Sequence, residues 1–294
     1  MPLVSVIIPF YSHRDWLKES LESVFSQTYK DFEVILVNDG SKEDITDIID
    51  QYGDKIIYRE QENQGPAAAR NHAMSIAKGK YIAFEDSDDI WLPEKLEKQI
   101  KFMEDRDAVW SHTGFYYWWP KDNRIKIIDV SRDYGDIYMQ RFVSVKMATP
   151  CVVIKKQVLD DEQLSFPVEI RNGEDGYLFT KIAKNHPVAL IQEPLAKIRM
   201  RGTNSNSHAI ERFRLQADSY DKLKMQKETT PGMLLFIKSI YKLYSKLFVG
   251  EITPTKEFIA KCFWTIPFGM ERMYVRYLAK QSKKDEKYIL RWKV

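Results

Sequence analysis

The stretch that best indicates the fold is residues 81–89, which read Tyr81-Ile82-Ala83-Phe84-Glu85-Asp86-Ser87-Asp88-Asp89. Its first half is apolar and of strand length, and its second half is a dense group of carboxylates. Such a group repels itself unless a cation lies within it, and Mg²⁺ and Mn²⁺ prefer carboxylate oxygens while keeping waters and substrate phosphates as their other ligands. The stretch therefore predicts a metal–diphosphate site at a strand end. The alternative is an acidic turn that caps the helix starting near Leu92.

Upstream of this stretch, apolar runs of strand length alternate with helical patterns. Pro66 in a first turn and Gly79 after a last turn favour a helix between them. The β-α alternation predicts right-handed crossovers and an α/β fold with an open, mostly parallel sheet and helices on both faces. The predicted strands are 3–9, 32–37, 55–58 and 81–84, and the predicted helices are 16–25, one from about 43, and 66–78.

Ligands of open α/β sheets bind beyond the carboxyl ends of the strands. Three segments follow directly on predicted strands, and we expect them to line one crevice: Pro9-Phe10-Tyr11, Asp39, and Asp86 with Asp88. The chain contains neither a Gly-x-Gly-x-x-Gly fingerprint nor a Gly-Lys-Ser/Thr phosphate loop. A metal is therefore the expected ligand of any bound phosphates.

Beyond residue 107 the patterns continue, and aromatic residues become frequent. An aromatic strand is expected in the sheet core, although aromatic faces also suit sugar rings and bases. Glu174 and Asp175 precede a predicted helix, where acids complement the helix dipole; from there a carboxylate could also point into the crevice. The predicted elements are strands at 108–119 and 148–154 and a helix at 177–183.

Composition predicts a soluble globular protein, because 44% of the 294 residues are hydrophobic and 30% are charged. The two cysteines, Cys151 and Cys262, form neither a disulfide framework nor a zinc pattern. The N-terminus lacks the basic region of a secretory signal, and no apolar run reaches the length of a membrane span. We therefore expect a cytoplasmic protein.

Charge is spread unevenly along the chain. The net charge is +3, but residues 231–294 carry 13 Lys and Arg against five Asp and Glu. Within them Lys238, Lys242 and Lys246 recur at helical spacing among apolar residues, which predicts an amphipathic helix over 233–249. This basic helical extension either packs on the preceding domain or docks, as a peripheral protein, on the anionic inner face of the cell membrane.

Six segments, taken together, resemble the successive signatures of the family 2 inverting glycosyltransferases, which have the GT-A fold. The resemblance covers about the first 210 residues and implies a catalytic domain over 1–226, with a nucleotide-binding half at about 1–106 and an acceptor-side half at about 107–226. It implies a nucleotide-sugar donor, Mn²⁺ or Mg²⁺, and transfer with inversion to a hydroxyl of a glycan or polyprenyl-linked glycan acceptor of bacterial surface-glycan type. The segments are 5–11, 21–28, 37–41, 63–71, 84–89 and 173–175.

The resemblance assigns a nucleotide-binding set, namely Pro9, Tyr11, Asp39, Arg70 and Asp86. Asp39 corresponds to the acid that accepts a hydrogen bond from the donor base, and Tyr11 lies where an aromatic ring can stack on that base. Uracil offers its N3–H to such an acid, which favours a UDP-sugar, and the ring N–H of guanine leaves a GDP-sugar open.

The resemblance also assigns the metal site and the catalytic residues. Asp86 and Asp88 match an Asp-x-Asp motif in which one acid binds the metal and the other contacts ribose or a metal-bound water. Asp175 matches the catalytic base, and Glu174 has a secondary, orienting part.

One segment departs from the family pattern. Members often carry Tyr/Phe-Arg-x-His after the catalytic helix, and here Arg199 is followed by Arg201 at the His position. Both arginines are candidates for neutralising diphosphate, but neither can bind a metal. His208 is a further candidate metal ligand.

Two other functions stay open at this stage. A nucleotidyltransferase would need a Gly-rich N-terminal loop with Lys or Arg, which residues 9–13 do not provide. A non-catalytic glycan-binding module would not need an intact Asp175.

Overall fold

The structure is a computed structural model that describes residues 2–141, 145–170, 173–201, 232–247, 255–256, 258–260, 262, 269–270, 273–274, 277 and 284–292. Contacts divide the chain into two compact units. The first unit comprises residues 1–137, 146–200 and 283–294, and the second comprises 138–145 and 201–282.

The elements follow the predicted alternation. The strands are β1 Val4–Phe10, β2 Phe32–Asp39, β3 Ile56–Gln61, β4 Tyr81–Phe84, β5 Ile90–Trp91, β6 Trp110–Trp119, β7 Arg124–Ile128, β8 Val152–Lys155, β9 Ala189–Arg199 and β10 Ile289–Leu290. The helices are α1 Arg14–Phe25, α2 Thr46–Tyr52, α3 Pro66–Ile76, α4 Lys95–Arg106, α5 Tyr138–Arg141, α6 Lys156–Asp161, α7 Glu174–Asn185 and α8 Gly232–Leu247.

The described strands form one ten-stranded sheet in the order β10-β9-β6-β8-β4-β1-β2-β3, with β5 beside β9 and β7 beside β6. β1 pairs in parallel with β2 and β4, and β2 with β3. β8 is antiparallel to both β4 and β6, so these two strands run in the same direction. β9 runs parallel to β6. The carboxyl ends of β1, β2, β4, β6 and β9 therefore lie along one edge, and the predicted open, mostly parallel sheet is confirmed.

The core of the first unit lies on both faces of this sheet. Val6, Ile7 and Ile8 are consecutive and completely buried. Since successive side chains of a strand point to opposite faces, both faces at β1 must be covered. On one face Leu17 and Leu21 of α1 join the same hydrophobic cluster as Val6 and Ile8.

Four strands of the sheet, β5, β7, β9 and β10, have no counterpart in the sequence prediction. β9 contains Gln192-Glu193-Pro194, which interrupts its apolar pattern, yet it pairs with β5, β6 and β10. β10 pairs with Leu190 and Ile191 of β9. Residues 284–292 therefore belong with the sheet, whereas the sequence analysis placed them in the basic extension at 231–294.

The second unit contains the predicted amphipathic helix, observed as α8. Its buried face presents Ile237 and Tyr241, which pack against Ala260. Phe236 and Leu243 lie on another face and are 55% and 59% exposed. Among the residues that the structure describes, no helix is long and apolar enough to cross a membrane.

Candidate active site

The acidic turn after β4 is held at both of its ends. The Glu85 N–H donates to Ile7 O at 2.9 Å, which extends the pairing with β1 by one residue. Asp89 is buried, and its Oδ1 accepts the N–H of Arg199 at 2.7 Å. Between these anchors Asp86 and Asp88 are half-buried. The turn therefore keeps two partly accessible carboxylates at the carboxyl edge of the sheet.

Arg70 of α3 connects this turn to the start of α7. It is only 5% exposed. Its guanidinium pairs with Asp86 Oδ1 at 2.7 Å and with Glu174 Oε1 at 3.0 Å. Burial disfavours the charged form, but the charges of Asp86 and Glu174 outweigh it and raise the pKa of Arg70. Arg70 is thus a permanent buried cation that bridges the two acidic motifs.

Glu174 and Asp175 open α7 after Gly173, which has a φ of 82°, in the left-handed region. Glu174 is buried; burial, and then the charge of Asp175, raise its pKa, while Arg70 opposes the shift. Asp175 is half-exposed: its Oδ2 accepts from the Thr149 hydroxyl at 2.9 Å, and its Oδ1 accepts from the Gly176 N–H. The pair therefore separates into one buried, ion-paired acid and one accessible, oriented acid.

Thr149 was not singled out in the sequence analysis. It lies in a short 3₁₀ turn, Thr149–Cys151, directly before β8. A lone Thr before a Pro carries no signal of a partner 26 residues away. Its contact with Asp175 arises because β8 is inserted between β4 and β6.

Asp39 is the last residue of β2 and so lies at the carboxyl end of the strand, but its carboxylate is engaged by its own chain. It is 3% exposed, and its carboxylate accepts from Gln61 Nε2 at 2.8 Å, Gln64 N at 3.0 Å and Gly65 N at 2.8 Å. It thereby fixes the loop that leads into α3. A carboxylate has about four acceptor positions, so a contact with the donor base stays a prediction. At the end of the neighbouring strand β1, Tyr11 is exposed, and Pro9 is half-buried.

Arg199 lies beneath the acidic turn. It is 3% exposed, its Nε donates to Asp88 O at 2.7 Å, and its guanidinium pairs with Glu19. The guanidinium also lies 4.5 Å from the ring centroid of Trp118. With these contacts Arg199 is placed to support the turn, and we do not propose it as a diphosphate ligand. Arg201 is exposed, and His208 lies outside the described residues.

The acids of the turn suit a metal that is shared with a phosphate. Among the described residues no group of three or more His, Cys, Asp or Glu could hold a metal ion. Mg²⁺ and Mn²⁺ in phosphate sites use one or two carboxylates, with waters and substrate oxygens completing the shell. Asp86 and Asp88 provide that number of hard oxygen donors. Because one oxygen of Asp86 already pairs with Arg70, Asp88 is the stronger candidate.

The fold and the acidic turn define a protein of the GT-A class. The sequence profile of "Glycosyl transferase family 2" matches residues 5–159, slightly more than half of the chain. The chain belongs to this family, as its sequence resemblance implied.

Two curated relatives illustrate the similarity. An uncharacterized glycosyltransferase of Rickettsia bellii is 39% identical over 69% of this chain and 29% of its own length. The Escherichia coli UDP-Glc:alpha-D-GlcNAc-diphosphoundecaprenol beta-1,3-glucosyltransferase WfaP is 45% identical over 40% of this chain and 47% of its own length. The chain thus spans about a third to a half of the length of these relatives.

Two solved structures share the fold. TarS 1-349 of S. aureus, in complex with UDP-GlcNAc, matches with a TM-score of 0.65 at 18% identity, over 96% of this chain and 83% of that chain. The mannosyltransferase PcManGT of Pyrobaculum calidifontis, in complex with GDP-Man and Mn2+, matches with a TM-score of 0.59 at 17% identity, over 95% and 86%.

Proposed function

We propose that this protein is an inverting, divalent-metal-dependent glycosyltransferase that moves a sugar from a nucleotide-sugar, with a UDP-sugar favoured, to a hydroxyl of a glycan or lipid-linked glycan. One observation carries the proposal: Arg70 joins Asp86 of the acidic turn to Glu174, the neighbour of Asp175. A phosphate-side acid and a candidate base thus belong to one connected site. The diphosphoundecaprenol substrate in the name of WfaP supports a lipid-linked acceptor.

On the acceptor side, Asp175 takes the proton of the attacking hydroxyl. Thr149 and Gly176 each donate a hydrogen bond to a different oxygen of Asp175, which orients its carboxylate. The carboxylate is also accessible enough to accept a hydrogen bond, and then the proton, from an acceptor hydroxyl. The acceptor oxygen forms a bond to the anomeric carbon as the bond from that carbon to diphosphate breaks, which inverts the configuration. Glu174, paired with Arg70, has an orienting role.

On the leaving-group side, negative charge develops on the diphosphate. Asp88, with Asp86, would hold a Mn²⁺ or Mg²⁺ ion, which supplies Lewis-acid stabilisation of that charge when bound. Arg70 keeps Asp86 in position, and Arg201 is the cation we assign to the diphosphate, because it is exposed and a guanidinium can bind phosphate oxygens in a bidentate way.

A GDP-sugar is the second candidate donor. It is supported by the fold neighbour that binds GDP-Man with Mn2+, and the ring N–H of guanine can also donate to Asp39. The two rival functions of the sequence analysis gain no support, because no observation here favours a nucleotidyltransferase or a binding module over a transferase.

The second unit is proposed to dock on an anionic membrane surface, at the inner face of the cell membrane, where a lipid-linked acceptor would be presented. Large apolar side chains grouped at a surface mark an interaction site, and basic residues beside them favour anionic lipids. Lys246 of α8 is exposed. Among the described residues of this unit, the large exposed apolar side chains are Phe236, Leu243, Phe258, Ile259, Met273 and Tyr277.

The mechanism is tested by Asp175→Asn, which keeps shape but cannot accept a proton. Transfer should fall by about 10²–10⁴-fold, the usual contribution of a general base, while donor affinity measured by calorimetry stays nearly unchanged. Glu174→Gln should cost less, and the exposed Asp105→Asn serves as the matched control. Near wild-type transfer by Asp175→Asn, or a product with the anomeric configuration of the donor, would contradict the mechanism.

A further inference from the structure

A cluster of buried polar side chains lies behind the acidic turn and is not used by the mechanism. Glu85 directly follows β4, while Lys95 and Gln99 lie one turn apart on α4, and all three are completely buried. Glu85 Oε2, Lys95 Nζ and Gln99 Oε1 have no hydrogen-bond partner among the described residues. Unpaired polar atoms in a protein interior are costly, and they normally bind water when the chain offers them nothing else.

Each of these side chains is nevertheless anchored by the rest of its contacts. Lys95 Nζ lies 3.8 Å from the ring centroid of Trp91. The amide nitrogen of Gln99 donates to Ser111 Oγ at 3.0 Å and to Cys151 O at 2.9 Å. These contacts hold the side chains of Lys95 and Gln99 in place, so the positions of their unpaired atoms are fixed.

Glu85 and Lys95 also interact electrostatically. Burial, and then the charge of Asp89, raise the pKa of Glu85 well above its ordinary value, and the positive charge of Lys95 opposes this shift. Burial lowers the pKa of Lys95 to about 8, and the charge of Glu85 opposes that shift in turn. Burial therefore disfavours the charged form of both groups, and each group opposes this effect on the other.

We propose that Glu85, Lys95 and Gln99 enclose buried water behind the acidic turn, and that this water-bridged network positions Asp86 and Asp88. Glu85 is the chain neighbour of Asp86, and the hydroxyl of Ser20, which lies 3.5 Å from Glu85 Oε1, donates to Asp86 O at 3.2 Å. The network therefore holds the point at which the chain leaves β4. The positioning role rests on the function proposed above, whereas the water and the charge coupling do not.

The coupling is tested by a double-mutant cycle on the full chain with Glu85→Met, Lys95→Met and the double variant. Each single substitution leaves the other group buried without its partner and should lower the melting temperature by roughly 5–15 °C. The double variant removes both charges and should lose clearly less than the sum of the singles. If the singles do not fold but the double variant does, the coupling is supported; if the double variant loses the full sum or does not fold, it is overturned.

The positioning role is tested by titrating UDP in the presence of MnCl₂ into the same proteins. The double variant should bind roughly tenfold more weakly despite its recovered melting temperature, which a purely packing role would not produce. Lys101→Met, on the exposed face of α4, should bind as wild type does. Wild-type affinity in the double variant overturns the positioning role.

Two further outcomes separate this inference from the proposed function. If UDP does not bind the wild-type protein, the donor assignment fails together with the positioning role, and the double-mutant cycle of melting temperatures still decides the coupling.

A high-resolution crystal structure should contain water within hydrogen-bond distance of Lys95 Nζ and Glu85 Oε2. A direct Glu85–Lys95 contact without water would overturn the water bridge.

Discussion

Glu174 and Asp175 are adjacent in the chain and have the same functional group, yet their surroundings give them different chemistry. Glu174 is buried against Arg70, so its charge is already compensated. Asp175 is half-exposed and is held by hydrogen bonds from Thr149 and Gly176. Accessibility and orientation, more than residue type, therefore support the proposal that Asp175, and not Glu174, is the base.

Thr149 offers a test of that orientation. Thr149→Val removes the hydroxyl with little change in shape, and a hydrogen bond to a charged group contributes about 1.5–3 kcal/mol. We expect kcat to fall by roughly 10- to 100-fold while the donor KM stays unchanged, as measured by steady-state kinetics. Thr149→Ser keeps the hydroxyl and should recover most of the rate. Equal loss in both variants would show that packing, not the hydrogen bond, is responsible.

The proposed binding of a divalent metal ion is tested by substituting Asp88. Asp88→Ala should abolish turnover that depends on Mn²⁺ or Mg²⁺ and leave the melting temperature nearly unchanged, because the side chain is only half-buried and lies in the turn between β4 and β5. Activity is measured over a series of metal concentrations and in excess chelator. Full wild-type activity in chelator, or an active Asp88→Ala variant, would exclude the assigned role.

Strand pairing explains how these side chains meet. β6 and β9 pair in parallel, with a register shift between Thr113 and Gly114. β9 ends at Arg199, which donates to the backbone of Asp88. The pairing of β6 with β9 therefore helps to fix the position of the acidic turn.

Gly114 is expected to be required for this pairing. A Cβ at position 114 would lie 2.3 Å from Gln192 O, a backbone atom that cannot move without disturbing the strand. Gly114→Ala should reduce the free energy of unfolding by about 1–3 kcal/mol, the usual cost of overpacking, as measured by urea denaturation. Gly269→Ala is the control, because no atom of the described residues lies within 4 Å of its Cβ position. Equal stability of the two variants would rule out the close approach.

For the chain as a whole, the distribution of charge and apolar surface distinguishes the two units. The second unit, residues 138–145 and 201–282, carries 15 Lys and Arg against seven Asp and Glu, and its helix α8 exposes Phe236 and Leu243. A truncation at residue 230 is an unsuitable test of docking, since it would also remove β10, which pairs with β9 of the catalytic sheet.

Docking is better tested by point substitutions. Phe236→Ser with Leu243→Ser should strongly reduce sedimentation with anionic liposomes at low salt, where electrostatic attraction is least screened. The matched control is Ile125→Ser with Ile127→Ser, which removes similarly exposed apolar side chains from β7 of the first unit. The proposal fails if wild type does not sediment with these liposomes or if both double variants lose binding equally.

Local sequence patterns were sufficient to predict the secondary structure of the first half of the fold and the types of residue expected in the candidate site. The apolar runs of β1, β2 and β4 and the acidic turn were predicted within a few residues, because burial on both faces and strand-end turns leave local signals. Both acidic motifs were also visible along the chain, whereas the roles of their residues were implied by the family resemblance and stay predictions.

The tertiary structure alone decided which residues are partners. Arg70 and Glu174 are 104 residues apart, and Thr149 approaches Asp175 only because β8 lies antiparallel between β4 and β6. Arg199, expected at a phosphate, instead supports the turn because β9 ends directly beneath it. Such contacts depend on strand order and register, which are set by the packing of distant segments, so no local pattern encodes them.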